Sequence, residues 1–285
     1  MQQGITQAMI EDDVQRALAE DIGTGDVSSL LIPEHCSVFA DVVSREPMLV
    51  CGIPWFNAVM LAVNPALEVN WLVKEGQWLD APAVLCQING PARGLLTAER
   101  TALNFLQTLS ATATQTYHYL LQLQGLPTRL LDTRKTLPGL RMAQKYAVSC
   151  AGGVNHRFGL YDAVLIKENH IKACGSISLA LNKARELNPS IFLEVEVETL
   201  DELREALDAK PDRILLDNFT LEQLRMAVQM NQPKICDLEA SGGVVLSTIR
   251  AIAETGVDFI SVGSITKSIQ ATDLSLLIKE IVSCQ

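Results

Sequence analysis

The chain has 285 residues, 48% hydrophobic and 20% charged, with a formal net charge of -10. That is ordinary globular usage with ample material for a core, and it excludes a largely disordered chain. No apolar run approaches the ~18 residues of a membrane span, the opening "MQQGITQAMIEDDVQ" lacks the basic start and apolar region of a secretion signal, and the acidic total weighs against a nucleic-acid partner.

Taken in chain order, "MIEDDVQRALAED" predicts an opening helix and "SVFADVVSREPMLVCG" (37–52) β-structure. "ALEVNWLVKEGQWLDAPAVLCQING" (66–90) alternates and turns at Lys74–Gly76 and Asp80–Pro82, as antiparallel strands do. "LTAERTALNFLQTLSATATQTYHYLLQLQ" (96–124) carries apolar positions at helical spacing and predicts one long helix or two abutting ones. Residues 1–115 therefore read as a separate α+β domain, with a boundary inside that helix.

From about 130 the rhythm changes. β-rich runs at 128–133, 162–167, 191–198, 213–218, 234–240 and 258–263 alternate with amphipathic segments at 176–188, 200–210, 220–231 and 247–256. Two helices open with capping boxes, Thr199 to Glu202 and Thr220 to Gln223, and Gly256 stands where a C-cap would stop the last one. Six βα units in series imply a parallel sheet, either a barrel or a doubly wound open sheet. With no GxGxxG after the first strand, an incomplete (β/α) barrel over 116–267 is the preferred reading. Seven scattered cysteines (36, 51, 86, 150, 174, 236, 284) without CxxC point to reduced thiols in a cytoplasmic protein, not to a disulfide framework or a structural zinc site.

The charge is uneven. Residues 129–172 hold eight Lys/Arg and three Asp/Glu, a local +5 against -15 for the rest. Either this is a solvated basic face or it receives a small anionic ligand. In a parallel barrel ligands bind at the carboxyl ends of the strands, and all six expected ends are polar: Arg134 and Lys135; Lys167 with Glu168, Asn169 and His170; Glu194, Glu196 and Glu198 alternating with Leu193, Val195 and Val197; Asp217 and Asn218; "EASGGV"; and "VGSIT". "GGVNHRFGL" (152–160) adds His156 and Arg157. Arginine and lysine suit carboxylates and phosphates, glycine-rich loops leading into helices hold phosphate through backbone amides, and facing carboxylates hold Mg²⁺ or sugar hydroxyls. These residues ask for a carboxylate-bearing substrate beside one with several phosphates.

"LLDTRKTLPGLR", "GGVNHRFGLYDAVLIKENHI", "LEVEVE", "ILLDN", "EASGGV" and "FISVGSIT", in this order, together with "EDIGTGDVSS" and "LTAERTALNFLQTLS", resemble the bacterial-type quinolinate phosphoribosyltransferases (carboxylating nicotinate-nucleotide pyrophosphorylases) over nearly the whole chain. The resemblance implies an N-terminal α/β sandwich-like domain, an incomplete barrel, and residues of about 268–285 packing back on the first domain. It implies transfer of phosphoribosyl from 5-phosphoribosyl-1-pyrophosphate to quinolinate with decarboxylation, giving nicotinate mononucleotide, pyrophosphate and CO₂ for NAD biosynthesis. It further implies Mg²⁺ arriving with the phosphoribosyl donor, no organic cofactor, and a homodimer with shared active sites. By residue, it assigns Arg134, His156, Arg157 and Lys167 to the quinolinate carboxylates, with Arg100 reaching that pocket from the neighbouring subunit. Lys135 goes to the phosphoribosyl donor, Glu196 and Asp217 to the ribose hydroxyls and Mg²⁺, and Ser241, Gly242, Gly243, Gly263 and Ser264 to the 5-phosphate. Lys135, Glu196 and Asp217 are the expected catalytic groups. Three alternatives compete: a paralogue with another acceptor base, an aldolase using Lys167 as a Schiff-base nucleophile, and a non-catalytic dicarboxylate-binding protein.

Overall fold

The computed structural model describes residues 5–80 and 82–283; the start of the N-terminal signal reading, residue 81 in the expected turn at 80–82, and residues 284–285 lie outside them. In chain order the elements are α1 (Gln7–Ile22), β1 (Ser37–Ser44), β2 (Met48–Leu49), α2 (Ile53–Val63), β3 (Glu68–Trp71), β4 (Trp78–Leu79), β5 (Ala83–Pro91), α3 (Ala92–Gln122), β6 (Arg129–Leu131), α4 (Arg141–Cys150), β7 (Val164–Ile166) and α5 (Glu168–Cys174). They continue with α6 (Ile177–Leu187), β8 (Leu193–Val197), α7 (Leu200–Ala209), β9 (Arg213–Asp217), α8 (Leu221–Met230), β10 (Asp237–Ser241), α9 (Ile249–Ala253), β11 (Phe259–Ser261), α10 (Ser264–Lys267) and β12 (Leu274–Ser283). Two compact units result, one of residues 1–117, 137–152 and 268–285, the other of 118–136 and 153–267. Segment 137–152, inside the stretch read as barrel, thus groups with the N-terminal residues.

In the first unit Thr6 caps α1 by accepting the Met9 amide at 3.3 Å, and Ile10, Val14 and Leu18 recur at helical spacing on its buried side. The antiparallel sheet runs β12-β1-β5-β3, with β2 and β4 as a separate pair. The C-terminal strand β12 pairs antiparallel along the whole of β1, so residues 274–283 form an edge strand of this sheet. The segment expected as one helix or two is the single helix α3. Its Leu95, Ala98, Ala102, Leu106 and Leu109 are buried in one core with Trp55, Phe56, Val59 and Ile88. Gly52 is required where the chain crosses α3: its φ is 112°, and a Cβ there would stand 3.3 Å from the Leu106 Cα and the Leu109 side chain.

The second unit is a parallel sheet of order β6-β11-β10-β9-β8-β7. Successive strands are neighbours and the first lies beside the last formed, which is barrel order with a seam left open between β6 and β7. Val154 bridges Leu131 in parallel fashion beside β6, placing the 153–163 loop at that seam. One face of each strand (Val195, Val197, Ile214, Leu216, Leu238, Ile260, Val262) is buried and apolar; the alternate residues carry the polar groups. Both expected capping boxes form, Thr199 with Glu202 and Thr220 with Gln223. One expectation is corrected here. α9 stops at Ala253 with Glu254 as its cap, so Gly256 (φ 96°) turns the chain after the helix. The polar groups expected at the end of β7 lead straight into helix α5, for which no expectation was stated; its start is held by the Lys167 amide donating to His170 Nδ1 at 3.0 Å. Cys51, Cys86, Cys150, Cys174 and Cys236 are free thiols, whereas Cys36 is disulfide-bonded, against the expectation that every cysteine is reduced.

Candidate active site

The carboxyl ends of the parallel strands surround a cavity of about 260 Å³. Its wall contains Arg134 and Lys135 after β6, His156 and Arg157 from the seam loop, Lys167 after β7, Glu196 on β8, Asp217 ending β9, and Glu239 and Ser241 on β10. The strand period puts them there, since residues two apart point to the same face. In register, Asp217 lies opposite Ser241, and Leu215 opposite Glu239 on one side and Glu196 on the other. The glutamates of β8 and the one just after it differ in depth: Glu194 is buried, Glu196 half-buried and Glu198, past the strand's end, exposed.

Five cations or potential cations face this space. Lys167 Nζ is ion-paired with Glu196. Arg134 keeps its Nε buried with no hydrogen-bond partner, an orphaned donor that costs free energy unless a ligand meets it. Arg157 donates from Nη1 to the Ala163 carbonyl at 3.3 Å; desolvation first, then the charge of Arg134, lowers its pKa. Two guanidiniums held close enough to repel are a preformed anion site. Lys135 is fixed through its backbone, with its amide on Thr133 Oγ1 at 3.0 Å and its carbonyl accepting from Thr266 Oγ1 at 2.7 Å.

The seam loop is positioned by a residue the sequence reading passed over. Asp132, fully buried, accepts from the His156 amide at 2.8 Å and from Asn155 Nδ2 at 2.6 Å. Asp162 then closes the following turn on the amides of Phe158 and Gly159 at 2.7 and 2.8 Å. His156 Nδ1 accepts the Arg157 amide at 2.8 Å and Nε2 faces Glu194 at 2.9 Å. Both ring nitrogens are engaged, which sets the tautomer with the proton on Nε2; His156 contributes to the cavity as a wall and as the link to the layer below.

That lower layer is a charged floor. Arg213 Nη1 meets Glu239 at 3.1 Å and its guanidinium lies 4.1 Å from the Phe259 ring centroid. Burial, then the neighbouring Glu194, pushes the Glu239 carboxyl up to about 8, and burial raises Glu194 as well. Two buried carboxyls this close hold one proton between them near neutral pH. Neither Glu239 nor Arg213 was singled out in the sequence. Their signal was present: both occupy the inward-facing alternate positions of their strands.

The glycine positions lie at the ends of β10 and β11, outside the cavity wall proper. A Cβ on Gly242 (φ 97°) would stand 2.1 Å from Asn218 Oδ1 and 2.9 Å from the Asn218 amide, while Gly243 (φ 57°) has open space around it. Gly263 lies under Lys135, whose Cδ would be 2.9 Å from an added Cβ. Ser264 begins α10 and its hydroxyl is 3.3 Å from that of Tyr119. Arg100 is exposed on α3 and is not among the cavity residues.

Glu196, Glu198 and Asp217 can each offer a carboxylate oxygen, all within 4.8 Å of one another. An oxygen-only set of this kind fits Mg²⁺. Fold and site together define a barrel enzyme that handles small, highly anionic substrates at its strand ends.

The comparisons narrow that class. The chain matches the model of the quinolinate phosphoribosyl transferase C-terminal domain over residues 112–277 and that of the N-terminal domain over residues 25–110. It is 40% identical over 258 residues to the probable nicotinate-nucleotide pyrophosphorylase (carboxylating) of Bacillus subtilis, covering 90% of this chain and 89% of that one. It is likewise 40% identical over 275 residues to the nicotinate-nucleotide pyrophosphorylase (carboxylating) of Mycobacterium leprae, covering 93% and 95%. The solved structure of the nicotinate-nucleotide pyrophosphorylase from Francisella tularensis superposes with a TM-score of 0.93 at 46% identity, covering 96% of this chain and 98% of that one. The chain belongs to the quinolinate phosphoribosyltransferase family.

Proposed function

We propose that this protein is a pentosyltransferase that joins quinolinate to the phosphoribosyl group of 5-phosphoribosyl-1-pyrophosphate and decarboxylates it, yielding nicotinate mononucleotide, pyrophosphate and CO₂. The observation that carries the reading is the pair Arg134 and Arg157 with Lys167 and Lys135 around one small cavity, where the charges repel and one buried guanidinium donor is unmet. A pyridine dicarboxylate supplies what these groups lack, with arginine suited to planar carboxylates. Lys135 and the glycine turns after β10 and β11 lie at the side where the phosphoribosyl donor fits.

In the reaction the pyridine nitrogen attacks C1′ and the bond from C1′ to the pyrophosphate oxygen breaks. The ribosyl ring passes through an oxocarbenium-like state, which the carboxylates of Glu196 and Asp217 stabilise electrostatically. The nitrogen, now positive, stabilises the electron pair left on C2 when the 2-carboxylate departs as CO₂, and C2 takes up a proton. Glu196, Glu198 and Asp217 are the residues that would hold Mg²⁺, which would supply charge neutralisation for the pyrophosphate group. Arg100, exposed on α3, fits the role of a cation offered to a second copy's cavity in a homodimer, and a cytoplasmic setting accords with small soluble substrates.

The test is product formation by the purified protein from quinolinate, the phosphoribosyl donor and Mg²⁺, followed by chromatography, with nicotinate in a parallel reaction. Nicotinate mononucleotide from quinolinate alone supports the assignment. A donor-dependent product from some other base, with none from quinolinate, would place the protein with the paralogues.

A further inference from the structure

Cys51, Glu75 and Cys150 come from three places in the first unit. Cys51 precedes α2, Glu75 sits in the turn between β3 and β4, and Cys150 ends α4. Their two sulfurs and a carboxylate oxygen all lie within 4.8 Å of one another. Each attachment is rigid. The Cys51 amide donates to Ser110 Oγ at 3.0 Å and the Cys51 carbonyl accepts from the same hydroxyl at 3.0 Å. Glu75 accepts the Gly52 and Ile53 amides, one on each oxygen, at 2.8 and 3.0 Å. Gly76 packs on Cys150: an added Cβ would stand 3.5 Å from its sulfur.

Glu75 is half-buried, yet among the described residues no Lys, Arg or His forms a salt bridge to it. Its compensation is the α2 N-terminal amides, the Cys51 thiol and the Tyr146 hydroxyl. Burial and the proximity of Cys150 and Glu75 hold the Cys51 thiol well above its ordinary value, so without a cation Cys51 keeps its proton. Both cysteines are free thiols, and Cys150 is half-buried while Cys51 is buried, which leaves one side of the cluster approachable.

We propose that Cys51, Glu75 and Cys150 form a binding site for one zinc-class divalent cation. Two thiolates with one carboxylate are the donor set of a borderline-soft metal and a poor match for Mg²⁺ or Ca²⁺. Tetrahedral Zn²⁺, with bonds of about 2.3 Å to sulfur and about 2.0 Å to oxygen, sets its donors less than 4 Å apart, a small contraction from the present spread. Binding displaces the two thiol protons, and the carboxylate keeps its second lone pairs for the α2 amides. The bound ion ties the end of α4 to the start of α2. No CxxC announces the site because its ligands are separated by 24 and 75 positions in the sequence.

The test is titration of the reduced, chelator-washed full-length protein with Cd²⁺, reading the ultraviolet cadmium–thiolate charge-transfer band, followed by competition with Zn²⁺. The expected result is a band that saturates at one equivalent, is displaced by Zn²⁺ but not by Mg²⁺, and persists in Cys174→Ser. Cys150→Ser abolishes it, and Glu75→Gln weakens Cd²⁺ binding by about tenfold or more. Because Cys51→Ser alters a packed core position, the partly accessible Cys150→Ser variant carries the argument, checked by an unchanged circular dichroism spectrum. Absence of the band in the wild-type protein, or its survival in Cys150→Ser, overturns the proposal. So does recovery of Cys51 and Cys150 as a disulfide after metal treatment.

Discussion

Lys167 and Glu196 form an ion pair across the ends of neighbouring strands β7 and β8, at the wall of the cavity. The lysine side chain is 48% exposed and the glutamate 14%. A pair this open adds little to stability, about 1 kcal/mol at most. Its meaning is positional: the carboxylate holds the lysine at the cavity wall, where under the proposed function it would serve a quinolinate carboxylate. Lys167→Ala should therefore leave the thermal midpoint within a few degrees of wild type. It should lower kcat/KM for quinolinate by about 10- to 100-fold, the equivalent of one charge-assisted hydrogen bond, with a smaller effect on the KM of the phosphoribosyl donor. Steady-state kinetics with each substrate varied in turn check this.

Asp132 acts on the same cavity from below. It takes two hydrogen bonds, from the His156 amide and Asn155 Nδ2, and so fixes the loop that delivers Arg157. In Asp132→Asn one of the two oxygens becomes an NH₂ donor facing another donor. The expected loss is about 1–3 kcal/mol of stability, with a rise in the KM for quinolinate that exceeds the fall in kcat. Chemical denaturation beside initial-rate kinetics separates the two effects.

The glycines at the strand ends should respond in a definite order. Gly242→Ala forces a Cβ against the Asn218 side chain and amide at a φ of 97°, so both strain and collision oppose it. Gly243→Ala meets only the backbone penalty at a φ of 57°, about 1–2 kcal/mol. Gly263→Ala meets the Lys135 Cδ, part of a flexible side chain. Thermal midpoints should fall furthest for Gly242→Ala, and Gly263→Ala should chiefly raise the KM of the phosphoribosyl donor by displacing Lys135.

The charged floor makes stability depend on pH. Glu239 has a folded value of about 8 against an ordinary 4.5, so between these values the folded protein binds the proton and the unfolded chain does not. Stability must then fall as pH rises from about 4.5 to about 8, and this contribution levels off above. Glu239→Gln removes the titrating group while keeping the neutral shape, and should flatten that part of the profile. Thermal midpoints of both proteins at intervals from pH 5 to 9 give the comparison.

Much of this architecture was readable beforehand because it rests on periodicity. Five of the six barrel strands fall inside the β-rich runs and β10 overruns its run by Ser241 alone, and both capping boxes close where Thr199 and Thr220 stand. The alternation of Glu194, Glu196 and Glu198 with apolar residues put the three carboxylates on one face, which spacing alone left as either an inner layer or a solvated edge. What escaped notice depends on three-dimensional partners. Glu239 and Arg213 look like ordinary strand residues until the barrel brings them within 3.1 Å. Asp132 reads as one more surface charge until the seam loop folds over it. The α5 helix was missed because its start is fixed by His170, a side chain that seldom advertises a helix N-terminus. The end of α9 was misplaced because Gly256 follows the helix by a short turn and does not cap it. The likeness of whole motifs to a known family supplied residue roles that spacing alone left at "carboxylate beside phosphate".

The central claim is that glycosyl transfer and decarboxylation are coupled in one cavity, and its most direct measurement is release of labelled CO₂. Quinolinate labelled in the 2-carboxylate, and separately in the 3-carboxylate, is incubated with the protein and Mg²⁺, with and without the phosphoribosyl donor. The account predicts one CO₂ per pyrophosphate, from the 2-position only and only when the donor is present. Pyrophosphate formed without CO₂, or CO₂ released in the absence of the donor, would contradict it.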